Sequence, residues 1–346
     1  MFELLKTIKV VGLQRMLKLF RAYRLGWQGI ISGYYTTRTM QALFNVGFFD
    51  ELREKGTVNL ESFAECSGLD ASILRSMCNS LFALSILKKS NSNYSLDSKG
   101  RILVEVARGW FDGVYGYEEV FHSLEALLRK EKVYGRDVTR RSDFIARGSG
   151  EMEKWIYFPL AIATINTKGF KKVLDLGCGE ATFLRDLCES NDEVTGYGID
   201  IAPEAIAHGR EKVAQAGLQD RIHLFVEDIS KLEKVPDPLW DVDVATTFFV
   251  LHEILFAGSD CVVELLRSFR RLFPGVPLIV FEATRPTPEE TRNRPGMAIQ
   301  YVLQHDLSNQ RLVSRREWQE LFKMAGFNSI EERYLRFART GIYTLC

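Results

Sequence analysis

"VLDLGCGEATF", residues Val173–Phe183, is the stretch that decides the fold of this chain of 346 residues. A short apolar run leads into Gly177-Cys178-Gly179, and a helix-like pattern follows. Glycines allow the backbone to turn sharply and let a ligand approach it closely. The pattern predicts a strand, a binding loop and a helix, with Asp175, Gly177 and Gly179 in the binding site.

Strands and helices alternate from residue 170 onward. The sequence predicts strands at 172–176, 193–200, 222–227, 242–248, 278–282, 330–337 and 341–345. Such alternation is typical of a mostly parallel sheet with helices on both of its faces. We therefore predict an α/β fold with a Rossmann-like, seven-stranded, mostly parallel sheet.

The second and third predicted strands each lead to an acidic residue. "VTGYGID" ends in Asp200, 21 residues after Gly179, where a carboxylate can accept hydrogen bonds from both hydroxyls of a ribose. "VEDIS" places Asp228 where it could reach the exocyclic amine of an adenine. The predicted cofactor site also includes Ile201, Ile229 and Phe248.

Negative charge near the loop discriminates between nucleoside cofactors. A dinucleotide favours a third glycine, so that the helix N-terminus can meet a pyrophosphate. That position is Thr182 here, and Glu180 and Asp186 lie close to it in the sequence. Their charge disfavours a pyrophosphate and suits a cationic sulfonium that also carries an ammonium group.

The region 170–346 resembles the class I S-adenosylmethionine-dependent methyltransferases. "LDLGCGEATF", "GIDIAPEAI" and "VEDIS" carry the resemblance. It implies that the glycine loop lies beside the methionine part of S-adenosylmethionine, that Asp200 holds the ribose, and that Asp228 reads the adenine. The enzyme class that it implies is an S-adenosylmethionine-dependent methyltransferase.

The N-terminal region shows the order helix, turn, helix and β-hairpin, which is that of a winged helix. We expect a helical, winged-helix-like dimerisation domain at 1–105, a helical connector that lines the substrate pocket at 106–168, and the cofactor-binding domain at 169–346. With such an N-terminal domain, the chain further resembles the natural-product O-methyltransferases, which implies a swapped homodimer and a role in secondary metabolism.

Composition limits the other partners. The 45 basic residues balance the 45 acidic ones, and the second helix of the winged-helix pattern carries one cation, Arg75. Both features argue against nucleic acid as a partner, including the alternative of a cofactor-sensing regulator. The sequence contains no long uninterrupted apolar run, and its six cysteines lack C-x-x-C spacing, so we expect no membrane span and a cytoplasmic location.

"FFVLHEILF", residues 248–256, places His252 just after the fourth strand of the sheet. Substrates of open α/β sheets meet the carboxyl ends of the strands, so His252 is a candidate catalytic base. In the O-methyltransferases the matching histidine is often followed by Asp-Trp, whereas here Glu253 and Ile254 follow. An O-methyltransferase of a hydroxylated metabolite, with His252 as base and no metal, remains the alternative function.

Two further residues indicate a metal site. "FEATRP" places Glu282 at the end of the fifth strand, and "QHDLSNQR" places His305 in a later helix-like stretch. Two histidines and a carboxylate suit a divalent or trivalent metal with open positions. The candidate metal ligands are therefore His252, Glu282 and His305, and the candidate catalytic residues are His252 and Glu282.

This trio resembles that of the α-keto acid C-methyltransferases, which include the phenylpyruvate and 2-ketoarginine methyltransferases. The resemblance implies an iron or zinc ion held at the His252 and His305 positions. An α-keto acid chelates such a metal, which stabilises the enolate formed when a β-proton leaves. Arg285, Arg140 or Arg141 could neutralise the substrate carboxylate, and apolar side chains favour a phenylpyruvate-like acceptor. The cofactor motifs do not exclude use of its aminopropyl arm.

Overall fold

The computed structural model describes residues 2–228, 231, 237, 239–293 and 298–346. The chain divides into two compact units, Met1–Tyr115 and Gly116–Cys346. The expectation of a separate connector at 106–168 stays a prediction.

The first unit is mainly helical and has a small antiparallel sheet. Its strands are paired in the order β1-β3-β2. Its elements are α1 (Phe2–Val11), α2 (Leu13–Arg24), α3 (Trp27–Asn45), α4 (Phe48–Lys55), β1 (Thr57–Asn59), α5 (Leu60–Cys66), α6 (Ala71–Ala83), β2 (Leu87–Ser90), β3 (Asn93–Leu96), α7 (Ser98–Val106) and α8 (Arg108–Gly116).

Local chemistry accounts for the helix boundaries of this unit. The Asp70 side chain accepts hydrogen bonds from the backbone N–H of Ser72 at 2.8 Å and of Ile73 at 2.9 Å, which caps the N-terminus of α6. The first two helices are separate, because Gly12 adopts a φ of 86° that ends α1.

The second unit contains the large sheet. Its elements are α9 (Glu118–His122), α10 (Leu124–Leu128), α11 (Ser142–Glu153), α12 (Tyr157–Lys168), β4 (Lys172–Leu176), α13 (Thr182–Ser190), β5 (Thr195–Asp200), α14 (Pro203–Gln215), β6 (Ile222–Val226), β7 (Val244–Phe248), α15 (Leu251–Ile254), α16 (Ser259–Leu272), β8 (Leu278–Ala283), α17 (Pro288–Asn293), α18 (Ala298–Leu307), α19 (Arg315–Met324), β9 (Ile330–Leu335) and β10 (Thr340–Leu345).

Seven of the described strands form one sheet in the order β6-β5-β4-β7-β8-β10-β9. The strands β4 to β8 run parallel, and β10 pairs antiparallel with both β8 and β9. Each strand overlaps its predicted range, so the predicted α/β fold with a mostly parallel seven-stranded sheet is confirmed.

Both faces of this sheet are covered by helices. Alternate residues of a strand point to opposite faces, so Val173 and its neighbour Leu174 belong to different cores. Val173 packs with residues of α12, α13 and α14, such as Phe183. Leu174 packs with residues of α16 and α19, such as Phe269 and Trp318. The two cores hold the strands in place, and the candidate site lies at the ends of these strands.

The first helices of the N-terminal unit expose apolar side chains that a monomer would normally cover. Val10 is 87% exposed, and Ile30 is 77% exposed. Other exposed apolar residues of α2 and α3 are Leu13, Leu17, Leu19, Phe20, Tyr23, Trp27, Ile31, Tyr34 and Tyr35. An apolar surface of this kind indicates an interaction face.

Within the described residues, no helix combines the length and the apolar character that a membrane crossing requires.

Candidate functional site

The candidate site lies where the order of the strands reverses. The chain moves outward from β4 to β5 and β6, and then returns to the other side of β4 with β7 and β8. Ligands of open α/β sheets bind outside the carboxyl ends of the strands at such a point. The segments that follow β4, β7 and β8 contain the glycine loop, His252 and Glu282.

The loop after β4 has the backbone that its glycines predict. Gly177 has a φ of 78°, and a Cβ there would come within 2.5 Å of Val250 Cγ2. Gly179 has a φ of 52° and open space where a Cβ would lie. Ala181 also adopts a positive φ, of 60°, immediately before α13 begins. The open side of Gly179 leaves room for a ligand to approach the backbone.

Asp200 is held in place by two backbone amides. Gly179 N–H donates to Oδ2 at 2.8 Å, and Ala202 N–H donates to Oδ1 at 2.9 Å. Each carboxylate oxygen has two acceptor positions, so both retain one for a ribose hydroxyl. The link to Gly179 ties the ends of β4 and β5 into one site.

The other predicted adenosine contacts differ in their surroundings. Asp228 is half-buried after β6 and forms an ion pair with Lys231 Nζ at 2.8 Å. The side chain of Ile201 is 66% exposed. Ile229 lies outside the described residues. The roles of Asp228, Ile201 and Ile229 in holding the cofactor stay predictions.

Phe248 and Asp175 occupy the carboxyl ends of β7 and β4. The Phe248 ring is buried and stacks on Phe281, with ring centroids 4.7 Å apart. Asp175 is buried and accepts a hydrogen bond from Thr246 Oγ1 at 2.8 Å. Burial raises the pKa of Asp175 to about 7 despite this hydrogen bond. A buried acid of this kind favours a cationic group nearby.

His252 and Glu282 form a buried pair. The Nδ1–H of His252 donates to Oε2 of Glu282 at 2.9 Å, and the two side chains are 3% and 0% exposed. Oε1 of Glu282 accepts from the backbone N–H of Leu251 at 2.7 Å and from that of His252 at 3.3 Å. Burial lowers the pKa of His252, but the Glu282 carboxylate raises it by more, so the net pKa lies above its ordinary value. Because Nδ1 is bound to Glu282, Nε2 is the ring nitrogen that remains for a ligand.

His305 is oriented in the same sense by a different acceptor. Its Nδ1–H donates to the backbone carbonyl of Tyr301, one turn earlier in α18, at 2.7 Å. Burial, together with the charge of the neighbouring His252, lowers the pKa of His305 to about 3. His305 is therefore neutral at physiological pH, and its Nε2 lone pair is available to a ligand.

The two histidine rings lie together, but the predicted three-ligand set is not formed. The ring centroids of His252 and His305 are 5.1 Å apart. In the described part of the chain, no group of three or more His, Cys, Asp and Glu side chains is arranged to hold a metal ion. The reason is that Glu282 lies behind His252, with its oxygens already bound to Nδ1 and to two amides.

An arginine reaches the same region from the segment before α11. Arg140 donates to Glu253 Oε2 at 2.7 Å and to Gln310 Oε1 at 2.8 Å. Glu253 Oε1 lies 3.7 Å from Nε2 of His252. Arg285 instead forms a bidentate pair with Asp306 on the surface.

Arg141 is also committed elsewhere, since it binds Asp143 and is 44% exposed. Of the three arginines that the sequence offered, Arg140 is the one that the fold brings beside the histidines.

The backbone is strained between β7 and His252. Phe249 is not a glycine, yet its φ is 56°. Its amide donates to the carbonyl of Phe281 at 2.8 Å, and its ring packs edge-on against Tyr157 at a centroid distance of 4.8 Å. Such a conformation costs about 1 kcal/mol or more and is maintained only by its surroundings. Nothing in the sequence marks Phe249 for this role.

Comparison with known proteins is consistent with this geometry. Residues 174–273 match the model of a methyltransferase domain. The chain is 29% identical over 310 residues to the 2-ketoarginine methyltransferase of Streptomyces arginensis, and the match covers 88% of each protein.

Solved structures of similar fold are O-methyltransferases and related enzymes. Human N-acetylserotonin methyltransferase in complex with S-adenosylmethionine aligns with a TM-score of 0.68 and 16% identity, over 94% of this chain and 97% of that one. Mitomycin 7-O-methyltransferase aligns with a TM-score of 0.65 and 16% identity, over 95% of this chain and 99% of that one. At this identity the alignments show a shared fold.

Proposed function

We propose that this chain, a class I S-adenosylmethionine-dependent methyltransferase, transfers the methyl group to the β-carbon of an α-keto acid. The observation that carries the proposal is the pairing of His252 and His305. Each ring uses Nδ1 to bind an acceptor of the protein, so that Nε2 remains for a ligand. Two imidazoles whose Nδ1 atoms bind acceptors of the protein are the arrangement that metal sites use.

The donor set fits an iron or zinc ion. Two imidazoles that bind one tetrahedral ion at ~2 Å would hold their ring centres about 5 Å apart. The observed separation of 5.1 Å matches this value. His252 and His305 would hold the ion, and Glu282 would orient His252 from behind. When bound, the metal would polarise the keto oxygen of the acceptor and make its β-proton more acidic.

Arg140 is the residue that we propose for the substrate carboxylate. Its guanidinium is 19% exposed and already lies beside Glu253, next to His252. A planar guanidinium matches a carboxylate in two parallel hydrogen bonds. The name of the 2-ketoarginine relative supports a keto acid as the acceptor.

We propose a phenylpyruvate-like acceptor because aromatic rings surround His252. Phe249 and Tyr301 have centroids 6.5 and 6.4 Å from the His252 ring. Rings of this kind suit an apolar side chain better than a charged one.

The transfer step needs positioning above all. The β-carbon loses a proton to a base, and its electron pair then forms a carbon–carbon bond to the methyl group. The sulfur–methyl bond breaks with its electron pair on sulfur, which leaves a neutral thioether. Holding the two carbons at near-attack distance supplies much of the rate acceleration. We place this chemistry in natural-product biosynthesis.

O-methylation of a hydroxylated metabolite is the second candidate, and the His252–Glu282 pair favours it. A histidine whose Nδ1–H binds a buried carboxylate is oriented to accept a hydroxyl proton at Nε2. The name of a structural relative is that of an O-methyltransferase. This function uses His252 as the base and needs neither His305 nor a metal.

Metal analysis combined with a substrate panel separates the two functions. Purified protein is analysed for bound iron and zinc, and then assayed with phenylpyruvate, 2-ketoarginine and a phenolic acceptor, before and after chelation. The C-methylation proposal expects about one metal ion per chain and loss of keto acid methylation on chelation. Activity on the phenol that survives chelation in metal-free protein would support O-methylation instead.

We also propose that the chain is a homodimer through its first helices. The observation is the exposed apolar surface on α1 to α3, which a second copy would bury. Light scattering of the intact protein tests this. Replacement of Leu17 and Phe20 by Ser should give monomers, whereas the exposed Phe337 of the other unit, changed to Ser, should leave the dimer unchanged.

A cytoplasmic location is proposed from the cysteines. All six are free thiols: Cys66, Cys78, Cys178, Cys188, Cys261 and Cys346. Thiols that stay unpaired are typical of a reducing compartment.

A further inference from the structure

Glu153 is a buried acid that has no partner among the described residues. It is the last residue of α11 and is 9% exposed. Among the described residues, no side-chain hydrogen bond and no ion pair involves its carboxyl group. Acids this deep in a protein are normally paired, because an isolated buried charge is costly.

The end of α11 lies against the glycine loop. A Cβ on Gly150 would lie 3.8 Å from Oγ1 of Thr182, the first residue of α13. The charges of Lys154 and Glu151 both act on Asp186 in the second turn of α13. The last turn of α11 therefore packs beside the start of α13, where the predicted cofactor loop ends.

The charges that act on Glu153 belong to both halves of the site. Burial, together with the charges of Asp175 and Glu282, raises the pKa of Glu153 to about 8. Asp175 lies at the cofactor loop, and Glu282 holds His252 at the reacting end. No cation in the described structure acts on the pKa of Glu153. The carboxyl group is thus close enough to Asp175 and to Glu282 for both charges to act on it, and none of the groups that shift its pKa is a cation.

We propose that Glu153 is the counter-charge for the sulfonium of S-adenosylmethionine. The methionine part belongs at the glycine loop, and the methyl group must reach the acceptor at His252. The sulfonium that carries the methyl group therefore lies between these two points, which is the position of Glu153. A carboxylate there compensates the sulfonium charge, and the sulfonium compensates the buried acid.

This assignment has a consequence for the product. Methyl transfer converts the sulfonium to a neutral thioether, so S-adenosylhomocysteine no longer offers a positive charge to Glu153. Without that charge Glu153 takes up a proton at neutral pH, because its pKa is raised to about 8, and it then contributes no charge pairing to the bound product. Glu153 would therefore set the preference for cofactor over product, and it would do so without a contact to the acceptor.

Calorimetry on the intact protein tests the proposal with three ligands that differ at one centre. S-adenosylmethionine has a sulfonium, sinefungin has an ammonium-bearing carbon in its place, and S-adenosylhomocysteine has a neutral sulfur. Glu153→Gln should weaken the binding of the two charged ligands about 10-fold, which corresponds to the loss of one charge pair worth about 1.4 kcal/mol. S-adenosylhomocysteine should change less than about 3-fold, and its retained binding shows that the site is folded.

The matched control is Glu151→Gln, the same substitution two residues earlier on α11. It should leave all three affinities unchanged. Equal weakening of all three ligands by Glu153→Gln, or no weakening of any, would overturn the proposal, as would a raised KM for the keto acid with unchanged cofactor affinity. The inference rests on the cofactor assignment alone. Binding is measured without metal or acceptor, so failure of the C-methylation proposal would not affect the outcome.

Discussion

The two halves of the candidate site are built in different ways. The cofactor half comes from one continuous strand, loop and helix, and Gly179 and Asp200 are joined by a backbone hydrogen bond. The histidine half is assembled from side chains after β7, on β8 and on α18, which are far apart in the sequence. The first half depends on backbone shape, and the second depends on side-chain hydrogen bonds.

This difference indicates which substitutions each half tolerates. Backbone amides hold the cofactor half, so most side-chain changes there leave its shape intact. Each histidine depends on one acceptor for its orientation, so a single lost hydrogen bond can turn the ring. A substitution that acts on one half should leave the other half unchanged, so the second half serves as an internal control.

The largest effect is expected for His305→Ala. Loss of one of two ring nitrogens should remove bound metal and reduce keto acid methylation at least about 100-fold, which exceeds the effect of losing a supporting residue. Metal content and single-turnover rates measure this. Cofactor affinity should stay within about 2-fold, and the exposed His122→Ala should behave like the wild type. Full activity of His305→Ala would contradict the metal-dependent mechanism and would support O-methylation with His252 as the base.

A smaller effect is expected for Glu282→Gln. The residue supports His252 through Nδ1, and loss of such a partner lowers metal affinity about 10- to 100-fold without abolishing it. Metal titration measures the change. If Glu282→Gln removed the metal as fully as His305→Ala does, Glu282 would be a direct ligand, as the sequence suggested.

The cofactor half is tested by Asp200→Asn. One carboxylate oxygen becomes an amide donor, so one ribose hydrogen bond and one of the two bonds from the backbone amides of Gly179 and Ala202 are lost. The Kd for S-adenosylmethionine should rise at least about 10-fold. Metal content should not change. The exposed Asp220→Asn serves as the control, and a loss of metal in Asp200→Asn would show that the two halves are not independent.

The features that the sequence predicts also divide between the two halves of the site. The strands of the sheet were predictable because their residues are buried on both faces, which leaves short apolar runs such as that before Gly177. The glycine loop and Asp200 were predictable because the residues that form them are local. Glu282 was recognised as important, but its place behind His252 depends on the pairing of β8 with β7, which spacing does not reveal.

Burial of single polar residues was the hardest feature to predict. Glu153 stands in "GSGEMEKW", where a glutamate reads as an exposed helix residue. Its burial depends on the fold, which brings the end of α11 beside the start of α13. Arg140 and Arg141 are adjacent in the sequence, and the fold alone decides that Arg140 reaches Glu253.

The smallest effect is a change in stability with pH. The folded-state pKa of Glu153, about 8, lies above its ordinary value of 4.5, so the folded protein loses stability as the pH rises through this range. Glu153→Gln removes this loss and should raise the Tm of the cofactor-free protein by a few degrees at pH 8 but not at pH 4.5. Thermal melts at the two pH values measure it. Glu151→Gln should follow the wild type, and an equal Tm at pH 8 for all three proteins would contradict the prediction.

The strained Phe249 sets a limit on how this enzyme can be engineered. Glycine would relieve its positive φ, and a stability screen would favour that relief. The same change would remove the ring that packs against Tyr157 and would free the three residues that lead to His252. Selection for heat resistance alone would therefore tend to favour variants in which His252 is held less firmly in place. Screens of variants at this turn should score product formation together with melting temperature.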